Sequence, residues 1–154
     1  MIRALLIGVV LATVTGIATA ADPVFGAWQL NLSKSKFSPG PVPKSMTRTY
    51  AESAGGTITL TMKSMSADGK SSTGTYTYKE DGKPYAVSGN PDADMASVTR
   101  VDALTVNFKQ MRAGATIATG VRTVSKDGKT LTVAQKGTHA NGAPFDDSMV
   151  FDRQ

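Results

Sequence analysis

The stretch that decides the fold is Gly26-Ala27-Trp28, in which a glycine stands two positions before the only tryptophan of the chain. It opens a strand-like segment, and similar short segments rich in threonine, valine and tyrosine follow it along the chain. Together they lie near residues 25–32, 46–53, 56–66, 71–80, 84–88, 95–101, 104–112, 115–126, 129–138 and 145–152. Because no stretch after residue 20 keeps a 3.6-residue period, the pattern predicts an all-β chain.

Turn signals separate these segments. Asp68-Gly69, Asp81-Gly82 and Asp127-Gly128 each stand between two strand-like runs, and Asp-Gly supplies the positive φ angles of tight hairpin turns. The one long irregular stretch is 33–45, where three prolines leave room for a single helical turn near its start. We expect this stretch either to close part of a barrel mouth, with Phe37 dipping inward, or to be a surface connector.

Alternation within the segments assigns their faces. Ile58, Leu60 and Met62 share one face of their segment, and threonines and a lysine occupy the other. This pattern is typical of antiparallel sheets with one buried side. Consecutive hairpins favour a single antiparallel up-and-down β-barrel of about 8–10 strands, because closure removes exposed edges. A β-sandwich is the alternative, and the short regular hairpin loops argue against it.

The N-terminus has the features of an export signal. Arg3 precedes an apolar run over residues 4–14, and Ala18-Thr19-Ala20 is a small-x-small cleavage site. The run is too short to span a bilayer, since a spanning helix needs roughly 20 apolar residues. We therefore expect residues 1–20 to be a signal peptide and residues 21–154 to be one domain, starting at Ala21 or Asp22. The expected location is periplasmic or secreted.

Composition excludes several classes of site. The chain has no cysteine and one histidine, His139, in a turn-like stretch where we expect it to be exposed. Zinc constellations and cysteine chemistry are therefore not expected, and the sequence points to no catalytic residue, no metal and no cofactor. The net charge of +5 falls to about +4 once Arg3 is removed. Because the lysines are scattered, nucleic-acid binding is not expected. Stable membrane insertion is not expected either, because no segment after residue 20 is apolar enough to span as a helix, and any protein partner is unknown.

Several stretches resemble the fatty-acid-binding proteins and lipocalins. Residues 26–30 are similar to the opening strand of fatty-acid-binding proteins, and Val121-Arg122 with residues 126–133 resembles their late strand pair. Residues 148–153 fall where that family has its last strand, and the chain also resembles small exported bacterial lipocalin-like proteins. The resemblance implies a calycin β-barrel, in which Gly26 allows a tight approach and Trp28 is buried at the closed end.

The departures from that family concern its ligand site. The resemblance places the carboxylate-binding Arg-x-Tyr pair on the last strand, where this chain has Met149 and Phe151. Of the inward arginines in the resemblance, only Arg122 remains. Three interpretations of Arg122 stay open: it faces the cavity, where Asp147 is the candidate partner, it packs over Trp28 at the closed end, or it is exposed at the surface. A pair with Asp147 would leave no free cation for a fatty acid. Because Met149 and Phe151 also lack the donors of the family's pair, an uncharged ligand is expected.

The leading functional expectation is a binding module for an apolar or weakly polar, lipid-like small molecule. The residues expected to bind it are Tyr50, Leu60, Met62, Tyr76, Tyr78, Val106, Phe108, Arg122, Met149 and Phe151. The alternative is a barrel filled by its own side chains, acting as a structural or protein-interaction module of the cell envelope. An enzyme using Asp147 with Tyr76 ranks third. An interior cavity of several hundred cubic ångströms favours the first expectation over the second.

Overall fold

Each of the predicted segments forms a strand of a computed structural model that describes residues 21–154. The predicted signal peptide, residues 1–20, lies outside the described residues. The strands are β1 (Gly26–Leu30), β2 (Ser45–Ser53), β3 (Thr57–Met65), β4 (Ser71–Tyr78), β5 (Asp81–Ser88), β6 (Met95–Arg100), β7 (Thr105–Arg112), β8 (Ala115–Val124), β9 (Thr130–Thr138) and β10 (Pro144–Arg153). A 3-10 helix, Leu32–Lys34, follows β1. Within residues 21–154, no helix is both long and apolar enough to cross a bilayer.

The ten strands form one closed antiparallel barrel, which confirms the predicted fold class. Every strand pairs with its neighbour in sequence, and β1 closes the barrel against β10 with Trp28 opposite Arg153. The seam between β4 and β5 is the weakest, because pairing there is limited to Thr75–Ser88 and Tyr76–Val87. All other neighbouring strands pair over at least three positions.

One predicted turn is wrong. Asp81-Gly82 does not form the reversal between β4 and β5, since β4 ends at Tyr78 and β5 already begins at Asp81. The register between β5 and β6 shifts between Asp81 and Pro84, and Gly82 has a φ of 78° there. The glycine therefore serves an irregularity at the start of a strand, where positive φ is also required.

The 33–45 stretch runs across the open end of the barrel. Lys36 forms an isolated bridge with Ser148 of β10, and the backbone N–H of Asp146 donates to the Ser38 carbonyl at 2.8 Å. Phe37 is partly buried against the core and lines the cavity at the mouth. Of the two interpretations of this stretch, the structure supports the partial closure of the mouth.

Trp28 lies at the closed end, as the resemblance implied. Its side chain is fully buried, and its indole N–H donates to the Val24 carbonyl at 2.8 Å. The guanidinium of Arg153 lies 4.1 Å from the centre of the indole ring, so the interpretation that Arg122 covers Trp28 is wrong. Gly26 has a φ of 117°, and a Cβ there would lie 3.0 Å from Nη1 of Arg153. The glycine makes room for the arginine that covers the tryptophan.

Candidate ligand-binding cavity

The barrel interior is not filled by side chains. An inner cavity of about 50 Å³ lies among residues of β2 to β8. An outer cavity of about 290 Å³ lies towards the open end, beside the 33–45 stretch and the β5–β6 loop. Four residues line both cavities and mark their junction: Arg48, Met62, Tyr76 and Gln110.

Most of the predicted binding residues line the inner cavity. These are Tyr50, Leu60, Met62, Tyr76, Tyr78, Val106, Phe108 and Arg122. Met149 is buried and lines the outer cavity instead. Phe151 is fully buried and lines neither cavity. Strand alternation was enough to place these side chains inside, because a closed barrel has only two faces.

Three tyrosine hydroxyls lie in the interior. The Tyr76 hydroxyl accepts a hydrogen bond from Nδ2 of Asn90 at 2.7 Å, and the Tyr50 hydroxyl accepts one from Nη1 of Arg48 at 3.1 Å. Burial raises the pKa of Tyr76 above its ordinary value, although the bond from Asn90 opposes the shift. Burial also raises the pKa of Tyr78. Both therefore stay neutral at physiological pH and can donate a hydrogen bond to a ligand oxygen.

Arg122 points into the barrel, but its acidic partner is Glu80. Nη2 of Arg122 donates to Oε1 of Glu80 at 3.0 Å, and both side chains are more than nine-tenths buried. The guanidinium also lies 5.2 Å from the centre of the Tyr50 ring and 3.4 Å from the Tyr78 hydroxyl. Burial acts to lower the pKa of Arg122, but Tyr50, Tyr78 and Glu80 together raise it. Arg122 is thus an internal, charge-balanced cation, which excludes surface exposure.

The predicted pairing of Arg122 with Asp147 is therefore wrong. Asp147 lines the outer cavity, where its carboxylate accepts a hydrogen bond from the backbone N–H of Ser38 at 3.2 Å. Burial raises the pKa of this carboxyl above its ordinary value. Tyr76 lines the same cavity, but its hydroxyl is engaged by Asn90. Nothing in this geometry joins Asp147 and Tyr76 as an acid–base pair.

A second arginine, Arg48, also faces the interior, although it was not among the predicted binding residues. This side chain is 8% exposed and lies on β2, opposite Trp28 of β1 and Met62 of β3. Its guanidinium lies 5.4 Å from the centre of the Phe151 ring. The expectation that Arg122 is the only inward arginine is wrong. Alternation on β2 was the available signal, since Arg48 and Tyr50 are two residues apart and share a face.

At the open end, Asp92 connects the β5–β6 loop to the turn between β9 and β10. The Asp92 carboxylate accepts a hydrogen bond from the backbone N–H of Ala140 at 2.7 Å and lies 2.8 Å from Nδ1 of His139. Burial opposes ionisation of Asp92, but these contacts lower its pKa. The loop also contains an Asx turn, since Oδ1 of Asn90 accepts a hydrogen bond from the Asp92 N–H at 2.8 Å. Within residues 21–154, no group of three or more histidine, aspartate or glutamate side chains is placed to hold a metal.

Comparisons with known proteins support the fold. No family model and no curated protein matches the chain. Among solved structures, the fluorescent protein UnaG is similar at a TM-score of 0.57 and 13% identity, over 88% of this chain and 100% of that one. The redesigned β-barrel mFAP1, bound to DFHBI, is similar at 0.51 and 17%, over 87% and 98%. Rv2717c from M. tuberculosis is similar at 0.55 and 12%, over 86% and 93%. The chain has the fold of the fatty-acid-binding-protein-like calycin barrels, as the sequence resemblance implied.

Proposed function

We propose that this protein binds a small, predominantly apolar molecule in the barrel interior, which the molecule enters at the open end. The observation that carries the proposal is the outer cavity of about 290 Å³, which shares four lining residues with the inner cavity. Its size is close to the lower end of small-molecule sites, roughly 300–1,000 Å³. The alternative of a barrel filled by its own side chains has no role for such a cavity.

The lining of the outer cavity suits an apolar ligand body. Phe37, Met46, Met62, Phe145 and Met149 surround it, and methionine side chains adapt readily to the shape of a ligand. The redesigned barrel mFAP1, of similar fold, is bound to DFHBI. That neighbour supports the general idea that a barrel of this architecture can hold a ligand.

We further propose that the protein works outside the cytoplasm, after removal of residues 1–20. The apolar run and the Ala18-Thr19-Ala20 site support this proposal. Intact-mass measurement of protein exported by a bacterial host tests it. We expect a chain that starts at Ala21 or Asp22. Exported protein that retains Met1 would contradict the proposal.

The binding proposal is tested with the uncharged dye Nile red, whose fluorescence rises in an apolar site, and with methyl decanoate as competitor. We expect saturable dye binding at one site per chain and displacement by the ester. Met62→Trp places a larger side chain at the junction of the two cavities and should weaken dye binding at least tenfold. Lys63→Trp, at the next residue on the outer face of β3, is the matched control and should bind like the wild type.

Two results would contradict this function. One is dye binding that is not displaced by the ester and is equally unaffected by both tryptophan variants. The other is native mass spectrometry of exported protein in which no apolar molecule of any kind is retained and none can be loaded. Either result would favour the alternative of a structural or protein-interaction module.

A further inference from the structure

The turn between β9 and β10 carries the sequence Asn141-Gly142, which the proposed function does not use. β9 ends at Thr138 and β10 begins at Pro144, and both Asn141 and Gly142 are exposed to solvent. Gly142 has a φ of 85°, and a Cβ built there would have no atom of residues 21–154 within 4 Å apart from its chain neighbours. The backbone nitrogen of Gly142 therefore lies in open surroundings beside an asparagine side chain.

An asparagine that precedes a glycine can react with the backbone next to it, and asparagine is for this reason a thermolabile residue. The Gly142 nitrogen attacks Cγ of the Asn141 side chain and closes a five-membered succinimide ring. The attacking nitrogen gives up its proton, and the side-chain amide leaves as ammonia. Water then opens the ring at one of its two carbonyl carbons, which yields either aspartate or isoaspartate. Only water is consumed, and nothing is oxidised or reduced.

The hydrogen bonds of the turn both favour and restrain this reaction. Oδ1 of Asn141 accepts a hydrogen bond from the Ala143 N–H at 3.0 Å. This bond holds the side-chain amide against the backbone of Gly142 and draws electron density away from Cγ. The Gly142 N–H, however, donates to the His139 carbonyl at 2.9 Å. That bond must open before the nitrogen can attack, so the reaction is slow while the turn is closed.

The other three asparagines of the chain lack this combination. Asn90 precedes Pro91, whose nitrogen carries no hydrogen to give up. Asn31 and Asn107 precede a leucine and a phenylalanine, and these large side chains crowd the attacking nitrogen. Asn141 is therefore the asparagine that we expect to react first.

The turn forms part of the wall at the open end of the barrel. The Asp92 carboxylate of the β5–β6 loop accepts a hydrogen bond from the Ala140 N–H at 2.7 Å and lies 2.8 Å from Nδ1 of His139. The centre of the His139 ring lies 4.7 Å from the centre of the Phe145 ring. Asp92, His139 and Phe145 all line the outer cavity. A change in the backbone of this turn therefore acts directly on the mouth of the cavity.

We propose that Asn141 is a site of spontaneous deamidation, and that its isoaspartate form loosens the contact between Asp92 and the β9–β10 turn. In isoaspartate the main chain runs through the side-chain carbon, so one methylene group is added between Cα and the next nitrogen. The added length displaces the Ala140 N–H and the His139 ring from the Asp92 carboxylate. The mouth of the cavity then opens more readily and a bound molecule leaves faster, a consequence that rests on the proposed function.

The modification site is tested by incubating the folded protein at alkaline pH and mapping its peptides by mass spectrometry. Deamidation replaces an amino group by a hydroxyl group, and we expect the corresponding gain in mass at Asn141 before any other asparagine. Asn141→Gln would have to close a larger ring and should gain this mass far more slowly. Isomerisation at the Asp-Gly turns leaves the mass unchanged, so it does not interfere.

The coupling to the mouth is tested first through the rate of deamidation. Asp92→Ala frees the turn from the β5–β6 loop, so Asn141 should deamidate at least threefold faster than in the wild type. Asp94→Ala is the matched control, because this carboxylate lies in the same loop but accepts from the Ala113 N–H at 2.9 Å. The control variant should deamidate at the rate of the wild type.

The effect of the modification is measured on the purified isoaspartate form. We expect its Ala140 amide hydrogen to exchange faster than that of the unmodified protein, and Nile red to dissociate at least threefold faster. Asn141→Asp adds the same charge but keeps a normal main chain. Both of its rates should stay within about twofold of the wild type.

The outcomes separate the two proposals. If Asn141 stays intact while the same protein in urea deamidates, Asn141 is not a modification site of the folded protein. An unchanged rate in Asp92→Ala, unchanged Ala140 exchange in the isoaspartate form, or an Asn141→Asp variant that reproduces the full effect would overturn the loosening by the added methylene. Unchanged Nile red release despite faster exchange would overturn the effect on the cavity. If mass and exchange change as expected and no form binds Nile red, the proposed function fails and the modification site stands.

Discussion

At the scale of single residues, the interior polar groups contact one another in a series. Arg48 donates to the Tyr50 hydroxyl, Arg122 lies over the Tyr50 ring, and Glu80 accepts from Arg122. Each group in this series is buried, so removing one leaves its neighbour without a hydrogen-bond or ion-pair partner. Breaking the ion pair between Arg122 and Glu80 should lower the stability most.

Glu80→Gln should lower the free energy of unfolding by about 3–5 kcal/mol, because it leaves the Arg122 charge buried without a counter-ion. Urea unfolding followed by the fluorescence of Trp28 measures the change. The double variant Glu80→Gln/Arg122→Met removes both charges and should recover most of the loss. Glu52→Gln, at an exposed position on β2, is the control. A double variant as unstable as the single one would mean that shape, and not charge, makes Glu80 necessary.

Replacing Asp147 should stabilise the folded protein, whereas replacing Glu80 should destabilise it. Because burial raises its pKa in the folded state, the ionised carboxylate is disfavoured there, and its contribution to stability is lost as the pH rises through that pKa. Asp147→Asn keeps an acceptor for the Ser38 N–H and should raise the thermal midpoint at pH 7. Below the ordinary carboxyl pKa of about 4 the gain should vanish. Asp146→Asn, at the exposed neighbour, should show no such pH dependence, and a gain for Asp147→Asn that persists at low pH would contradict the assignment.

At the scale of strands, the seam between β4 and β5 depends on one glycine. Gly89 follows β5 with a φ of 71°, and a Cβ there would lie 2.0 Å from the Thr73 carbonyl oxygen of β4. Gly89 directly follows the two residue pairs that join these strands, Thr75–Ser88 and Tyr76–Val87. Any side chain at position 89 therefore pushes the seam apart.

Gly89→Ala should destabilise the barrel well beyond the roughly 1–2 kcal/mol that alanine costs in the left-handed region. Gly114→Ala is a matched control, since Gly114 has a φ of 80° and no atom within 4 Å of a Cβ. The difference between the two variants in urea unfolding isolates the clash with Thr73. Hydrogen exchange should show faster opening of β4 and β5 in Gly89→Ala. Equal losses for both variants would mean that the seam relaxes without cost.

At the scale of the whole molecule, closure joins the two ends of the described chain. β1 has β10 on one side and β2 on the other, so β10 completes the barrel. Without it, β1 and β9 would each present an unpaired edge, and exposed edges favour association between chains. Trp28 would also lose Arg153, which covers its ring.

A chain that ends before Pro144 should fail to fold as a monomer and should aggregate, with the Trp28 emission shifted towards that of indole in water. Size-exclusion chromatography and fluorescence measure both effects. Removal of Gln154 alone loses one backbone hydrogen bond, from its N–H to the Ala27 carbonyl at 3.0 Å. That shorter deletion should cost about 1 kcal/mol. A monomeric, folded product of the longer deletion would show that closure is not required.

The sequence alone determined the strands, the barrel and most of the inward-facing residues. Alternation has a period of two, so a run such as Ile58, Leu60 and Met62 places its face as soon as one side is buried. The position of Trp28 at the closed end was what the resemblance of residues 26–30 to the fatty-acid-binding proteins implied. The exception, Asp81-Gly82, was misplaced because a glycine with positive φ serves a strand irregularity as readily as a hairpin turn.

Only the tertiary structure decided which charged groups meet. Arg122 pairs with Glu80, which lies 42 positions away in sequence, and Arg153, not Arg122, covers Trp28. Partners across a barrel depend on strand register, shear and side-chain length, none of which alternation encodes. The same is true of Arg48: its inward face was readable from the spacing to Tyr50, but its lack of a carboxylate partner was not. The cavity, which is the space left when all side chains are packed together, follows only from their joint arrangement.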